Sequence, residues 1–317
     1  MTARTLLLTA PAMDLHAAPG HPEGPERRVA VAAGVRDAAG DGLVEAAARP
    51  ATDEELERIH PPEHLARLAG YDAAGSAWPD PDTYVVRGSL DAARLAAGAT
   101  IDAALAAAAG EASVAFAVVR PPGHHAAATN PSGFCLLNNV AVAVAALRAV
   151  RGLRRIAIVD WDVHHGDGTQ AIFDADPDLW YASTHQWPLY PGTGHRDEDG
   201  LGAARGTKQN RDLPPGSGDE PFSRAWLDDL LTGVEAFGPE AILVSAGYDA
   251  HRDDPLANLL VTEDGYEAVA RGLGGVARRL GLPGVALTLE GGYDLEALRG
   301  SAAATVRGVL DGMGDGA

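Results

Sequence analysis

Four short apolar runs, each passing straight into glycine and titratable residues, constrain this chain more than any other feature. Val114-Ala115-Phe116-Ala117-Val118-Val119 leads into Arg120-Pro121-Pro122-Gly123-His124-His125. Ile156-Ala157-Ile158-Val159 leads into Asp160-Trp161-Asp162-Val163-His164-His165-Gly166-Asp167-Gly168. Ala241-Ile242-Leu243-Val244 leads into Ser245-Ala246-Gly247-Tyr248-Asp249-Ala250-His251, and Val285-Ala286-Leu287-Thr288-Leu289 into Glu290-Gly291-Gly292-Tyr293-Asp294. Runs without polar alternation suit strands buried on both faces. Ala-rich stretches at Leu90 to Ala109, Val140 to Val150, Phe222 to Phe237 and Gly265 to Leu280 read as helices between them. Such alternation predicts one doubly wound α/β domain, a mostly parallel sheet with helices on both sides. In open parallel sheets ligands bind beyond the carboxyl ends of the strands, so the four clusters are expected to converge there.

The length of 317 residues fits one large α/β domain or two smaller ones. With no fixed-period repeat and no linker, a single domain over residues 1–317 is expected. A net charge of −19 argues against direct nucleic-acid binding and suits a cationic substrate. The lone Cys135 cannot form an internal disulfide, which points to a reducing compartment. Leu6-Leu7-Leu8 is too short for a signal peptide, and no run approaches the ~18–20 apolar residues of a membrane span. The expectation is therefore a cytoplasmic chain with no membrane partner. Lys208 is the only lysine, which, beside so much alanine, reads as base composition.

Asp160, Asp162 and His164 fall at i, i+2 and i+4, one face of the chain if it stays extended. Carboxylate and imidazole together form a half-site for a borderline cation such as zinc, and a catalytic site takes three protein ligands. Asp249, just past another buried strand, is the best third ligand. An isolated Asp-x-His would ordinarily be a loop, but here three companion clusters accompany it. His124-His125 follows a stiff Pro-Pro-Gly turn, and Asp160 and Asp167 are spare carboxylates, one for each imidazole. Two equivalent bases would be redundant, so unequal roles are expected. Tyr293, between Gly292 and Asp294 at a strand end, is a phenol whose O–H can donate to an oxyanion.

Together these segments, with Gly133-Phe134-Cys135-Leu136-Leu137-Asn138-Asn139 and Gly20-His21-Pro22-Glu23-Gly24-Pro25-Glu26-Arg27, resemble the zinc-dependent histone deacetylase family of the arginase–deacetylase superfamily. Tyr190-Pro191-Gly192-Thr193-Gly194 is similar to the class II branch and to bacterial deacetylase-like amidohydrolases. The resemblance implies the three-layer α/β/α fold and removal of acetyl or other acyl groups from lysine side chains or related amines. It implies one Zn2+ per chain, with Fe2+ as the alternative occupant, on Asp162, His164 and Asp249. His125 with Asp167 would be the general base and then acid, His124 with Asp160 an electrostatic partner, and Tyr293 the carbonyl-polarising phenol. Structural K+ would be held by Asp160, Ser183 and the carbonyls of Asp162 and His164, with a second ion at Phe173, Asp176 and Leu179. Phe134 and Tyr190 would wall an acyl-lysine tunnel, with Leu256 at the rim and the Gly133 carbonyl on the substrate. Asp82 would grip the substrate backbone, and Arg27 matches a residue of the acetate exit cavity.

Asp253 and Tyr248 depart from the common class II pattern and touch substrate preference rather than chemistry. Leu256 stands where acetylpolyamine deacetylases can carry a glutamate, which tilts the reading toward acyl-lysine. A two-manganese site would need Asp-x-His-x-Asp, whereas here the next aspartate after His164 is Asp167. The rival from another class is an inactive relative acting as an acyl-ligand sensor or partner-binding protein. The same pattern gives His16, His60, His64, His185 and His195 no partner, leaving them packing or solvent-facing roles. Oligomeric state, monomer or homo-oligomer, is open at this level.

Overall fold

In the computed structural model, which describes residues 5–314, the four apolar runs stand side by side. In chain order the strands are β1 (Thr5–Thr9), β2 (Leu43–Ala47), the short pair β3 (Ser76–Ala77) and β4 (Val85–Val86), β5 (Val114–Ala117), β6 (Ile156–Asp160), β7 (Leu179–Gln186), β8 (Lys208–Leu213), β9 (Ala241–Ala246) and β10 (Val285–Leu289). Eight of them form one sheet in the order β2-β1-β5-β10-β9-β6-β7-β8. Every neighbouring pair in it is parallel. The expected runs are its contiguous centre, β5-β10-β9-β6, so their carboxyl-end loops open onto one spot.

The period-2 geometry of strands sorts the core into two layers. Leu7, Phe116, Val159, Val244 and Leu287 face the helices Pro25–Ala39, Glu263–Arg279 and Leu295–Met313. Leu8, Ala115, Ile158, Leu243 and Ala286 face the helices Ser89–Ala109 and Asn139–Ala146. The result is the three-layer α/β/α arrangement. Fully burying one such valine, leucine or phenylalanine stabilises the fold by about 1.5–3 kcal/mol, and Phe116→Ala at the sheet centre would cost about 3–5 kcal/mol.

Ser89–Ala109 corrects one expectation: by length and composition this 21-residue helix is apolar enough to cross a membrane. Its alanines instead pack on β1, β5 and β10. The helix stops at Gly110, whose φ of 73° lies in the left-handed region where a glycine carries no Cβ penalty. Four sheet strands lay outside the expectation: β1, β2, β7 and β8.

Candidate active site

The ligand atoms of Asp162, His164 and Asp249 lie within 4.8 Å of one another. His164 Nδ1 is 3.2 Å from both Asp162 Oδ1 and Asp249 Oδ2. The extended path expected through this stretch is not taken: β6 ends at Asp160, and Asp162 and His164 sit on the bend that follows. What gathers the side chains is backbone hydrogen bonding. Gly291 N–H donates to Asp162 Oδ2 at 2.7 Å, and Val163 N–H donates to Asp249 Oδ1 at 2.8 Å. The glycines follow from this crowding. A Cβ at Gly247 would come within 2.1 Å of Asp162 Oδ2, and one at Gly291 within 2.1 Å of Asp249 Oδ2.

Both carboxylates are fully buried, and together they demand positive charge. Burial opposes protonation of His164, yet hydrogen bonds to Asp162 and Asp249 hold its pKa up at about 10. A set of two carboxylate oxygens and one imidazole nitrogen, with Asp162 and His164 facing a cavity, fits a divalent cation of borderline character.

Beside it the loop after β5 presents two imidazoles with ring centroids 4.0 Å apart. His124 Nδ1 is 3.1 Å from Asp160 Oδ2, and its Nε2 is 3.7 Å from Asp162 Oδ1. His125 Nδ1 is 2.7 Å from Asp167 Oδ1. Their proton affinities diverge. Burial works against a charge on His124, but Asp162 and Asp160 overcome it and raise its pKa well above the ordinary value. Burial and the neighbouring charge of His124 push His125 down to about 4, with Asp167 pulling the other way. His125 is thus neutral at pH 7, its Nδ1–H tied to Asp167 and its Nε2 left to act as a base.

Both imidazoles line a cavity of about 270 Å³ with Gly133, Phe134, Tyr190, Leu256, Tyr293 and Asp82. Phe134 holds a φ of 70°, unusual for a residue with a side chain, and its ring meets Tyr293 edge-on at 5.9 Å. Gly133 before it leaves room for His125, whose Cδ2 would lie 2.5 Å from an added Cβ. Tyr293 hangs on a fixed backbone, since Asp254 Oδ2 accepts its N–H at 2.7 Å. Burial raises the phenol pKa, so it stays protonated as a donor. At the rim, Asp80 spends its carboxylate on the N–H groups of Asp82 and Thr83 and the Thr83 hydroxyl. Asp82 lines the cavity, with its pKa raised to about 6 by burial and by Asp80.

Other expected residues sit elsewhere. Arg27 is not among the cavity-lining residues; it is buried behind Tyr293, 4.8 Å from the ring centroid, and donates to the carbonyls of Gly292 and Glu290. Asp160 and Ser183 are register partners on β6 and β7, both buried, as a shared monovalent ion would need. The carbonyls of Asp176 and Leu179 instead accept from Lys208 Nζ, and that of Phe173 accepts from Asp176 N–H. His16, His60, His64 and His185 are buried and partnered, by Ser89, Ala128 with Asn138, Leu136, and Ser183 with Gly194. His195 stacks edge-on against Trp187. Cys135 is buried, with its thiol on the Gly133 carbonyl.

Sequence reasoning passed over three positioning residues. Glu290 Oε2 accepts from the N–H groups of Gly123 and His124, clamping the imidazole loop to the end of β10. Tyr181 donates to Asp160 Oδ2 at 3.0 Å, and Asp254 carries Tyr293. Each follows a strand or sits in one, but each acts on backbone or on a residue far away in the chain.

A model of the histone deacetylase domain matches residues 21–309. The chain is 37% identical over 281 residues to a histone deacetylase-like amidohydrolase of Pseudomonas aeruginosa, covering 87% of this chain and 73% of that protein. It is 42% identical over 233 residues to histone deacetylase 14, chloroplastic, of Arabidopsis thaliana, covering 72% of this chain and 55% of that protein. It therefore spans little more than half of that plant relative. The crystal structure of the HDA15 HD domain matches with a TM-score of 0.90 at 37% identity, covering 98% of this chain and 90% of that one.

Proposed function

The chain belongs to the histone deacetylase domain family of deacetylases and amidohydrolases, and from that premise we propose that it hydrolyses the amide of an acylated lysine side chain, with one Zn2+ held by Asp162, His164 and Asp249. The observation that carries this reading is the cavity itself: aromatic and apolar walls leading down to His125, Tyr293 and the ligand cluster. A cation held there supplies Lewis acidity for the carbonyl and acidifies a water. The remaining work falls to the chain.

Neutral His125 takes a proton from the attacking water at Nε2, while its Nδ1–H stays on Asp167. It returns that proton to the amine nitrogen as the C–N bond breaks, and the acid and amine so formed leave as carboxylate and ammonium. Tyr293 O–H donates to the carbonyl oxygen as it gains charge, and the positive charge of His124 favours the same developing anion. Asp82 accepts an N–H from the substrate backbone at the rim. A K+ between Asp160 and Ser183 would stiffen the loop that carries the ligands.

Leu256, apolar and 37% exposed at the rim, favours acyl-lysine over an acetylpolyamine, which a carboxylate there would hold. The test is turnover of acetyl-lysine peptides, longer acyl-lysines, acetylated polyamines and small secondary amides, each with and without chelator. Chelator-sensitive hydrolysis of the peptides is expected. A preference for polyamines would move the substrate class, and no hydrolysis of any amide would sink the enzymatic reading in favour of an acyl-ligand sensor.

A further inference from the structure

Lys208 is the only lysine among 25 basic residues, and it is buried to 1% exposure at the start of β8. An ammonium group has three N–H donors and no acceptor. Here each donor has a partner: the carbonyl of Leu179 at 2.8 Å, the carbonyl of Asp176 at 3.1 Å and the hydroxyl of Thr207 at 2.7 Å. Those two carbonyls, one in the loop before β7 and one at its first residue, belong to the stretch where a second monovalent ion would be expected from the resemblance, and they do not fit one while Nζ holds them. We propose that Lys208 is a tethered cation, a covalently attached ammonium that takes the place of that second ion and fastens β7 to β8.

None of these contacts depends on the hydrolytic reading. Ammonium and K+ carry the same charge and are close in size, so oxygens converging on one will converge on the other. Arginine would not serve, because its planar fork cannot present three donors to one point. This gives a structural reason for a lysine at this position in a chain that otherwise uses arginine. Burial lowers the Lys208 pKa to about 8 against the pull of Asp176 and Asp174, with Arg148 adding to the fall, so the group stays charged at neutral pH. A freely binding ion stabilises a fold only in proportion to its concentration, whereas a tethered one is always present. The consequence reaches the site, because Leu179 opens β7, and β7 brings Ser183 beside Asp160.

Crystals of the intact protein exchanged into RbCl test this directly by anomalous scattering. Wild type should show no Rb+ bonded to the Asp176 and Leu179 carbonyls. Lys208→Ser should open the position, show Rb+ there, and lose about 5 °C of Tm in LiCl, with KCl at the same ionic strength restoring most of the loss. Rb+ on those carbonyls in wild type overturns the proposal. So does a folded Lys208→Ser protein that takes up no Rb+ there and melts alike in LiCl and KCl. Should the variant not fold, wild type labelled with ε-15N lysine still decides. One slowly exchanging ammonium resonance, unchanged between K+ and Li+, is expected; a fast-exchanging signal at the free-lysine position overturns it.

Discussion

Two imidazoles of identical chemistry, neighbours in the chain and 4.0 Å apart by ring centroid, have their proton affinities pushed in opposite directions. His124 and His125 each bond a carboxylate through Nδ1, and each is nearly sealed from solvent. The difference lies in what else each one faces. His124 sees Asp160 and Asp162, both completely buried, and Glu290 behind its own backbone. His125 sees only Asp167, whose side chain is 31% exposed, and it faces a positively charged neighbour. A second buried carboxylate outweighs desolvation, and a single partly exposed one does not. The proton affinities of the pair therefore split, His124 upward and His125 downward, without any difference in residue type.

The largest effects should come from breaking the base side. His125→Ala, Tyr293→Phe and Asp249→Ala are each expected to lower turnover of an acetyl-lysine peptide by at least ~100-fold. Asp249→Ala should also lower bound metal, measured by mass spectrometry, while the other two keep it. Near-wild-type turnover in any of the three would remove that residue from the assigned role. His124→Gln removes a charge rather than a proton carrier, so a loss of roughly 10-fold is expected. If it costs as much as His125→Ala, the two dyads are not unequal and the comparison fails.

A pH profile sharpens the split. With His125 pushed to about 4, the acid limb of kcat/KM should lie well below the ordinary histidine value of 6.5, activity persisting until the base is protonated. Asp167 is the group that raises His125, so Asp167→Asn should move this limb further toward acid and lower the rate by about 10-fold. Movement toward alkali would mean that another group sets the limb.

How much of this was legible follows from the same physics. The central strands were readable because burial on both faces keeps β5 wholly apolar and leaves β9 and β10 with one small hydroxyl each, Ser245 and Thr288, and the ligands were readable because they follow directly. β7 escaped, since Ser183, Thr184, His185 and Gln186 are polar yet buried, partnered within the strand and by Trp226, Gly194 and Asn258 from elsewhere in the fold. β2 and β8 are the sheet's edges and carry Glu45, Lys208, Asn210, Arg211 and Asp212 with no apolar run to betray them. The helix Pro25–Ala39 buries Arg27 and Arg28, so its pattern blurs. Glu290 and Asp254 act on backbone N–H groups, which leave no mark on residue type. Lys208 was visible as an oddity of composition, but its three oxygens come from the fold.

The buried histidines away from the site carry the comparison into stability. His60 accepts the Asn138 N–H at Nε2 and donates from Nδ1 to the Ala128 carbonyl, so a second proton has nowhere to go. Burial lowers its pKa to about 4, and likewise His16 to about 4 and His185 to about 3, the latter with help from His165. These folded values lie below 6.5, so the unfolded chain binds more protons in that window. The stability is complete above pH 6.5 and is lost as pH falls toward 4, by up to about 1 kcal/mol per pH unit for each group. Urea unfolding at pH 7, 6, 5 and 4.5 should show this slope before most carboxylates titrate. His60→Gln keeps an acceptor and a donor but cannot be protonated, so it should remove one group's share of the slope, even if it costs some stability at pH 7. An unchanged slope in that variant, or flat stability from pH 6.5 to 4.5, would show that His60 accepts a proton in the folded state.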